Sequence, residues 1–105
     1  MAINEAEQIE IISPMVRVIM GAIAAKSPNG EVTGDDVLSL HALGIALMID
    51  NDTNLRTPRD RRLAVETAKK HVERWMRVLD AVKKETGMSA LSRMLDAPDQ
   101  SANLH

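Results

Sequence analysis

The chain has 105 residues, of which 45% are apolar and 27% charged, a composition typical of one soluble globular domain. It has no Cys, which excludes disulfides, a thiol nucleophile and a cysteine zinc site. It has no Phe or Tyr and a single Trp, which rules out much nucleic-acid binding by base stacking on aromatic side chains. The net charge of −2 hides an asymmetry: residues 1–55 hold two cations and eight acids, whereas residues 56–85 hold ten cations and five acids. A core of Leu, Ile, Val, Met and Ala favours helices.

Capping residues and prolines divide the N-terminal third into predicted helices. Asn4 is a candidate N-cap for a helix over residues 5–12. Ser13 followed by Pro14 is typical of the start of a second helix, with Ser13 as the N-cap and Pro14 at the first helical position. This second helix would reach Ala25. The alternative is one helix kinked at Pro14, because proline removes the hydrogen bond that its own nitrogen would donate.

The next predicted helix begins after the N-cap Thr33, covers residues 34–49 and is apolar on nearly every side. After its acidic first turn, only Ser39 and His41 interrupt the apolar sequence. A helix of this kind should be buried on several sides. Gly44 weakens helix formation by roughly 1 kcal/mol relative to Ala, so we expect another backbone to pack close to it.

The C-terminal half is dominated by one long predicted helix. It begins at Thr57 and Pro58, can continue to Thr86 and ends naturally at Gly87. At ~1.5 Å per residue it would be roughly 43 Å long. A compact chain of this length has a diameter of roughly 33 Å. The helix is longer than a compact chain is wide. This indicates either an elongated bundle or a partner that covers the part of the helix extending beyond the rest of the chain.

Apolar residues of the long helix recur every three or four positions, as in a heptad seam: Val65, Ala68, Val72, Trp75, Leu79 and Val82. On the opposite face, each of three acids lies four residues before a cation: Glu66 before Lys70, Glu73 before Arg77, and Asp80 before Lys84. This order favours ion pairs along the helix surface.

A final short helix over residues 90–96, capped by Ser89, precedes Pro98. The prediction is therefore an all-α fold, a small antiparallel bundle of four to five helices with one long helix in the C-terminal half. We expect a single domain over residues 1–97 and a mobile tail over residues 98–105. Two helices that are apolar on most faces are hard to cover in so short a chain, so we expect a homodimer.

The leading functional hypothesis is a non-enzymatic bacterial interaction or regulatory protein that acts as a helical homo-oligomer and binds a protein partner. Its contacts would lie on the seam or on the apolar surfaces of residues 15–25 and 37–49. Methionine adapts well to the shape of a partner. The candidate partner-binding residues are Met15, Met20, Met48, Val72, Trp75 and Leu79, with Met76 beside them.

A basic cluster at the start of the long helix gives a second hypothesis. It consists of Arg56, Arg59, Arg61, Arg62 and Lys69. Cations at a helix N-terminus oppose the helix dipole, so helix stability does not explain them, whereas contacts to phosphate groups would. The competing explanation is a bridge to the acidic half, within or between subunits. The isoelectric point near 5.9 weighs against a dedicated nucleic-acid binder, so this hypothesis ranks below the first.

Catalysis, metal binding and cofactor binding find little support in the sequence. His41 has no neighbouring His, Glu or Cys in a ligand pattern, so an enzyme or metal site there ranks last. Residues 50–54 carry oxygen-bearing side chains at positions 1, 3 and 5, as the start of a calcium-binding loop does. However, Leu55 and Arg61 occupy positions 6 and 12, where glycine and glutamate are required. We therefore predict no catalytic residue, no metal site and no cofactor.

The start of the chain is acidic, whereas a secretory signal begins with a basic segment. The longest uninterrupted apolar run, residues 45–49, is far shorter than the ~18 residues of a membrane span. We therefore expect a cytoplasmic protein without membrane contact.

Overall fold

A computed structural model describes residues 2–96, which form four helices and no strand. The helices are α1 (Glu5–Lys26), α2 (Gly34–Asn51), α3 (Pro58–Thr86) and α4 (Ala90–Asp96). The all-α prediction is confirmed, with the long helix in the C-terminal half. The predicted tail at residues 98–105 lies outside the described residues.

Each helix begins at a polar side chain that accepts a backbone hydrogen bond from its first turn. Asn4 accepts from the N–H of Glu7 at 2.9 Å, and the Glu7 carboxylate accepts from the N–H of Asn4 at 3.2 Å, which completes a capping box. Thr33 and Thr57 each accept at 3.1 Å from the N–H three residues further on. Ser89 does the same for α4 at 3.2 Å. These four of the five predicted helix starts are confirmed.

The predicted break before Pro14 is wrong, and the alternative of one helix is correct. α1 continues through Pro14 to Lys26. Proline removes one backbone hydrogen bond, and the turns on either side of it are intact. The hydroxyl of Ser13 donates to the carbonyl of Ile9 at 2.8 Å, so it does not act as an N-cap.

The ends of the two central helices are set by local chemistry. α2 extends two residues beyond the predicted end and stops at Asn51, where the N–H of Asp52 donates to the Ile49 carbonyl at 3.2 Å. α3 ends at Gly87, as predicted, with a positive φ of 74°. The N–H of Gly87 donates to the carbonyl of Lys83 at 2.9 Å.

Consecutive helices contact one another along the chain: α1 with α2, α2 with α3, and α3 with α4. Two polar links join α1 to the C-terminal half. The guanidinium of Arg17 donates twice to the carbonyl of Met94 in the last turn of α4, from Nε at 3.1 Å and from Nη2. Arg74 of α3 pairs with Glu5 at 3.6 Å. A cation near the carbonyl end of a helix also suits the helix dipole.

The chain is extended, and its interior is incomplete. Its radius of gyration is 16.0 Å, against about 13 Å for a compact chain of this length. No described residue is fully buried, and at least seventeen large apolar side chains are exposed. The accessible surface is 8466 Å², against about 5,800 Å² for a compact monomer of this mass. One chain alone thus leaves much of its apolar surface in water.

The left-handed backbone conformation of Gly87, at the end of α3, can be tested by substitution. We expect Gly87→Ala to lower the free energy of unfolding by about 1 to 2 kcal/mol, because an L side chain is strained at positive φ. Gly34→Ala is the control, since an added Cβ there meets nothing within 4 Å and its φ is not positive. Urea unfolding followed by circular dichroism measures both. Equal stability of the two variants would contradict the assignment.

Candidate interaction surfaces

An apolar stripe on α1 faces water. Ile11, Met15 and Val18 follow one another at intervals of four and three, so they share one side of the helix. They are between 49% and 70% exposed, and the exposed Ala22 continues the stripe. Met20, predicted with Met15 as a partner contact, is half-buried instead. Helical geometry therefore separates the two methionines.

α2 presents a second apolar face, formed by Leu40, Leu43 and Leu47 at intervals of three and four. These leucines are between 41% and 54% exposed. Gly44 lies among them, and a Cβ built there meets no atom within 4 Å. The expected close approach of another backbone to Gly44 is therefore wrong for the described part of one chain. Met48, another predicted contact, is among the most exposed residues of this helix.

The seam of α3 is only partly covered. Its members Ala68, Trp75, Leu79 and Val82 are half-buried, whereas Val65 and Val72 are exposed. Of the predicted partner contacts on this helix, Val72 faces water, while Trp75 and Leu79 face the rest of the chain. The heptad pattern thus contains an inner part and an outer edge.

Trp75 and Leu79 form one wall of an open groove of about 510 Å³ between α1, α3 and α4. Among the described residues, Gln8 is the one polar side chain that lines it. The other lining residues are Ile3, Ile9, Ile11, Ile12, Val16, Ala90, Leu91 and Met94. The guanidinium of Arg74 lies 5.1 Å from the centre of the Trp75 ring, at cation–π distance. In the described part of the chain, this groove is where apolar side chains of α1, α3 and α4 come together.

The three ion pairs predicted along α3 do not form within 4.0 Å among the described residues. An exposed pair gains little energy, and ordering two long side chains offsets it. Two pairs between helices form instead. Arg74 contacts Glu5, and Arg61 contacts Asp50 at 3.5 Å. The basic half thus meets the acidic half within one chain, as the competing explanation of the charge asymmetry expected.

The structure splits the basic cluster into two groups. Arg56 donates to the carbonyl of Thr53 at 2.7 Å, and Arg61 donates to that of Leu55 at 3.3 Å, so both fold back on the loop. The other members are Arg59, Arg62 and Lys69. All three are exposed, and none has a carboxylate within 4.0 Å in the described part of the chain.

The candidate metal and catalytic positions are engaged in local hydrogen bonds. Nδ1 of His41 donates to the carbonyl of Val37 at 2.8 Å, and His41 lines neither of the two best-defined cavities. In the loop at residues 50–54, the carboxylate of Asp52 accepts from the N–H of Asn54 at 2.9 Å. Among residues 2–96, no group of three or more His, Asp or Glu side chains could hold a metal ion.

The unbroken length of α1 is relevant to the prediction that the protein does not contact a membrane. Its 22 residues make it, by length and composition alone, the one helix in the described part that could cross a membrane. Its most apolar 18-residue window has a mean hydropathy of 1.4, and none of that window is buried. A core helix of a soluble protein or a signal sequence passes the same test. The absence of membrane contact therefore stays a prediction.

Comparisons with family models, with curated proteins and with solved structures find no match for this chain. Its function must therefore be argued from the surfaces described above.

The half-buried state of Trp75 gives a second test. We expect Trp75→Ala to lower the free energy of unfolding by about 1 to 3 kcal/mol, less than the 3 to 5 kcal/mol typical of full burial. Met76→Ala is the neighbouring control; this side chain is 58% exposed, and its loss should cost less than about 1 kcal/mol. Urea unfolding at one low protein concentration compares them. An equal cost would mean that the groove is not the packing centre.

Proposed function

We propose that the protein is a non-enzymatic interaction or regulatory protein whose helical core is completed by further copies of the same chain. The observation that carries the proposal is the lack of any fully buried residue in the described part of the chain. Its surface exceeds that of a compact monomer by about 2,700 Å². A standard interface buries about 800 Å² on each partner, which is less than this excess.

The energetics of burial support association. Each Å² of apolar surface removed from water contributes about 25 cal/mol. Contiguous exposed apolar patches above a few hundred Å² usually mark interaction sites. α1 and α2 both carry rows of exposed apolar side chains that a partner could cover. A second chain would cover them and complete the antiparallel bundle expected from the sequence.

The distribution of charge favours a copy of the same chain as the partner. Residues 1–55 carry a charge of −6 and residues 56–85 carry +5. A two-fold arrangement can place the acidic half of one copy beside the basic half of the other, and this pairing is the electrostatically favourable one. Arg61 and Arg74 use only part of the positive charge within one chain, and Arg59, Arg62 and Lys69 remain exposed for a second one.

The placement of α1 favours a soluble assembly over a membrane span. α1 contacts α2 along the chain. Its one arginine, Arg17, donates to the carbonyl of Met94 in α4. These contacts join α1 to two other helices of the chain, and its apolar stripe can be covered by protein. On this proposal the protein is cytoplasmic.

The oligomeric state tests the proposal. We expect light scattering coupled to gel filtration to give twice the 11.5 kDa chain mass or a higher multiple. Lowering the concentration should shift the mass towards the monomer, because association follows mass action. A monodisperse 11.5 kDa species that unfolds cooperatively at high concentration would contradict the proposal.

Exposed cations on α3 support a second candidate function, the binding of nucleic acid through the phosphate backbone. Arg59, Arg62 and Lys69 lie on one side of the helix and are exposed. Glu66 lies on the same side and would repel phosphate, which places this candidate second.

Fluorescence anisotropy with labelled DNA and RNA of mixed sequence tests the second candidate. If it holds, affinity should fall steeply with salt, and the double variant Arg59→Glu/Arg62→Glu should lose at least about tenfold in affinity at low salt. The matched control is Lys83→Glu/Lys84→Glu, which reverses two charges at the other end of α3. An absence of binding at low salt, or equal losses in both variants, would reject this candidate.

A further inference from the structure

The turn between α1 and α2 contains the single Asn–Gly pair of the sequence. Asn29 and Gly30 are both exposed, as is Pro28 before them. The N–H of Gly30 donates to the carbonyl of Ser27 at 3.2 Å, which closes a four-residue turn. Gly30 has a positive φ of 69°, and a Cβ built on it meets no atom within 4 Å. Water therefore reaches both residues, and nothing in the described part of the chain packs over Gly30.

We infer that Asn29 and Gly30 form a self-modification site, at which the asparagine is deamidated without an enzyme. Solvent base removes the proton from the Gly30 nitrogen, which then forms a bond to Cγ of Asn29. The bond between Cγ and Nδ2 breaks, and ammonia leaves with a proton from solvent, so that a cyclic imide remains. Water then cleaves one of the two bonds between the imide nitrogen and its carbonyl carbons. Cleavage at Cγ gives aspartate, and cleavage at the main-chain carbonyl gives isoaspartate.

Asn29 is the asparagine best placed for this reaction among those that the structure describes. The residue that follows it has no side chain, so the attacking nitrogen approaches Cγ without steric hindrance and the backbone rotates freely. The carboxamide of Asn29 makes no hydrogen bond in the described part of the chain, whereas that of Asn4 caps α1. The described asparagines that precede a larger residue are Asn4, Asn51 and Asn54.

The hydrogen bond of the turn controls the rate of the reaction. The reacting nitrogen of Gly30 donates its proton to the Ser27 carbonyl, so the turn must open before the nitrogen can lose that proton and attack. Pro28 favours the closed turn, because its ring fixes φ near the value that the second turn position requires. The bond is exposed and lies between two helix ends, where local opening costs far less than global unfolding. The turn therefore slows the reaction and does not prevent it.

The products change both the charge and the length of this connection. Each product adds one negative charge next to Glu31, in the half of the chain that is already acidic. Isoaspartate also adds one carbon atom to the main chain, so the turn that joins α1 to α2 cannot keep its geometry. Because α1 and α2 contact each other, a distorted turn should weaken their packing. The modified chain is therefore expected to unfold at a lower temperature than the natural chain.

Peptide mass spectrometry after incubation in mildly alkaline buffer tests the site. Cleavage after glutamate releases residues 11–31, in which Asn29 is the sole asparagine. We expect this peptide to gain the mass of an amide converted to an acid, and a more acidic form of the whole chain to accumulate on anion exchange. Asn29→Gln is the control; it should form no such species over the same period, because a glutamine side chain closes a larger ring more slowly.

Two results would overturn the inference. One is a folded natural chain that keeps its amide at Asn29 while the same chain in urea loses it, since the turn would then block the reaction completely. The other is equal conversion at Asn4, Asn51 and Asn54, since the glycine and the turn would then have no effect. Neither result depends on whether copies of the chain associate, so the proposed function is tested separately.

A second pair of variants tests the roles of the turn and of Gly30. The net contribution of one hydrogen bond corresponds to a roughly two- to tenfold slowing. We therefore expect folded Pro28→Gly to deamidate faster than the folded natural chain by about this factor, and both to react equally in urea. Gly30→Ala should react more slowly than the natural chain in urea, where only the added Cβ distinguishes them. Equal rates in each comparison would contradict these roles, and circular dichroism checks that the helices are retained.

Discussion

Many apolar side chains of α1 and α2 are exposed to water in the described part of the chain, and the rest of the account depends on this exposure. The four helices form from local signals, and polar links such as Arg17 to Met94 hold them in contact. Even so, no described residue is fully buried, and the groove around Trp75 is the main packing centre of the described part. The free energy of unfolding is a small difference between the free energy gained by burying apolar surface and the cost of the lost chain entropy. A chain that buries this little apolar surface is therefore stabilised strongly by a partner that covers its exposed face.

Features decided within one or two turns could be read from the sequence. The N-caps at Asn4, Thr33 and Thr57 and the glycine end of α3 were predicted, because their hydrogen bonds join residues at most four positions apart. Pro14 was misread because the loss of one hydrogen bond does not end a helix. The ion pairs along α3 were expected from spacing alone, but solvent weakens exposed pairs, and the cations Arg61 and Arg74 pair with other helices instead.

The surfaces were harder to predict, because periodicity identifies a helix face but not the neighbour that covers it. The heptad pattern placed Val72 and Trp75 on one seam, yet the structure covers only the side that carries Trp75. In the same way, Gly44 pointed to a close contact that the described chain does not make.

The central claim is that the core is completed between chains, and the dependence of thermal stability on protein concentration tests it most directly. The unfolding midpoint of an associating chain rises with concentration, because mass action favours the associated native state. The account predicts that the midpoint, followed by circular dichroism, rises by several degrees over a roughly hundredfold increase in concentration. A cooperative transition whose midpoint is the same at every concentration would show that one chain is stable alone and would contradict the account.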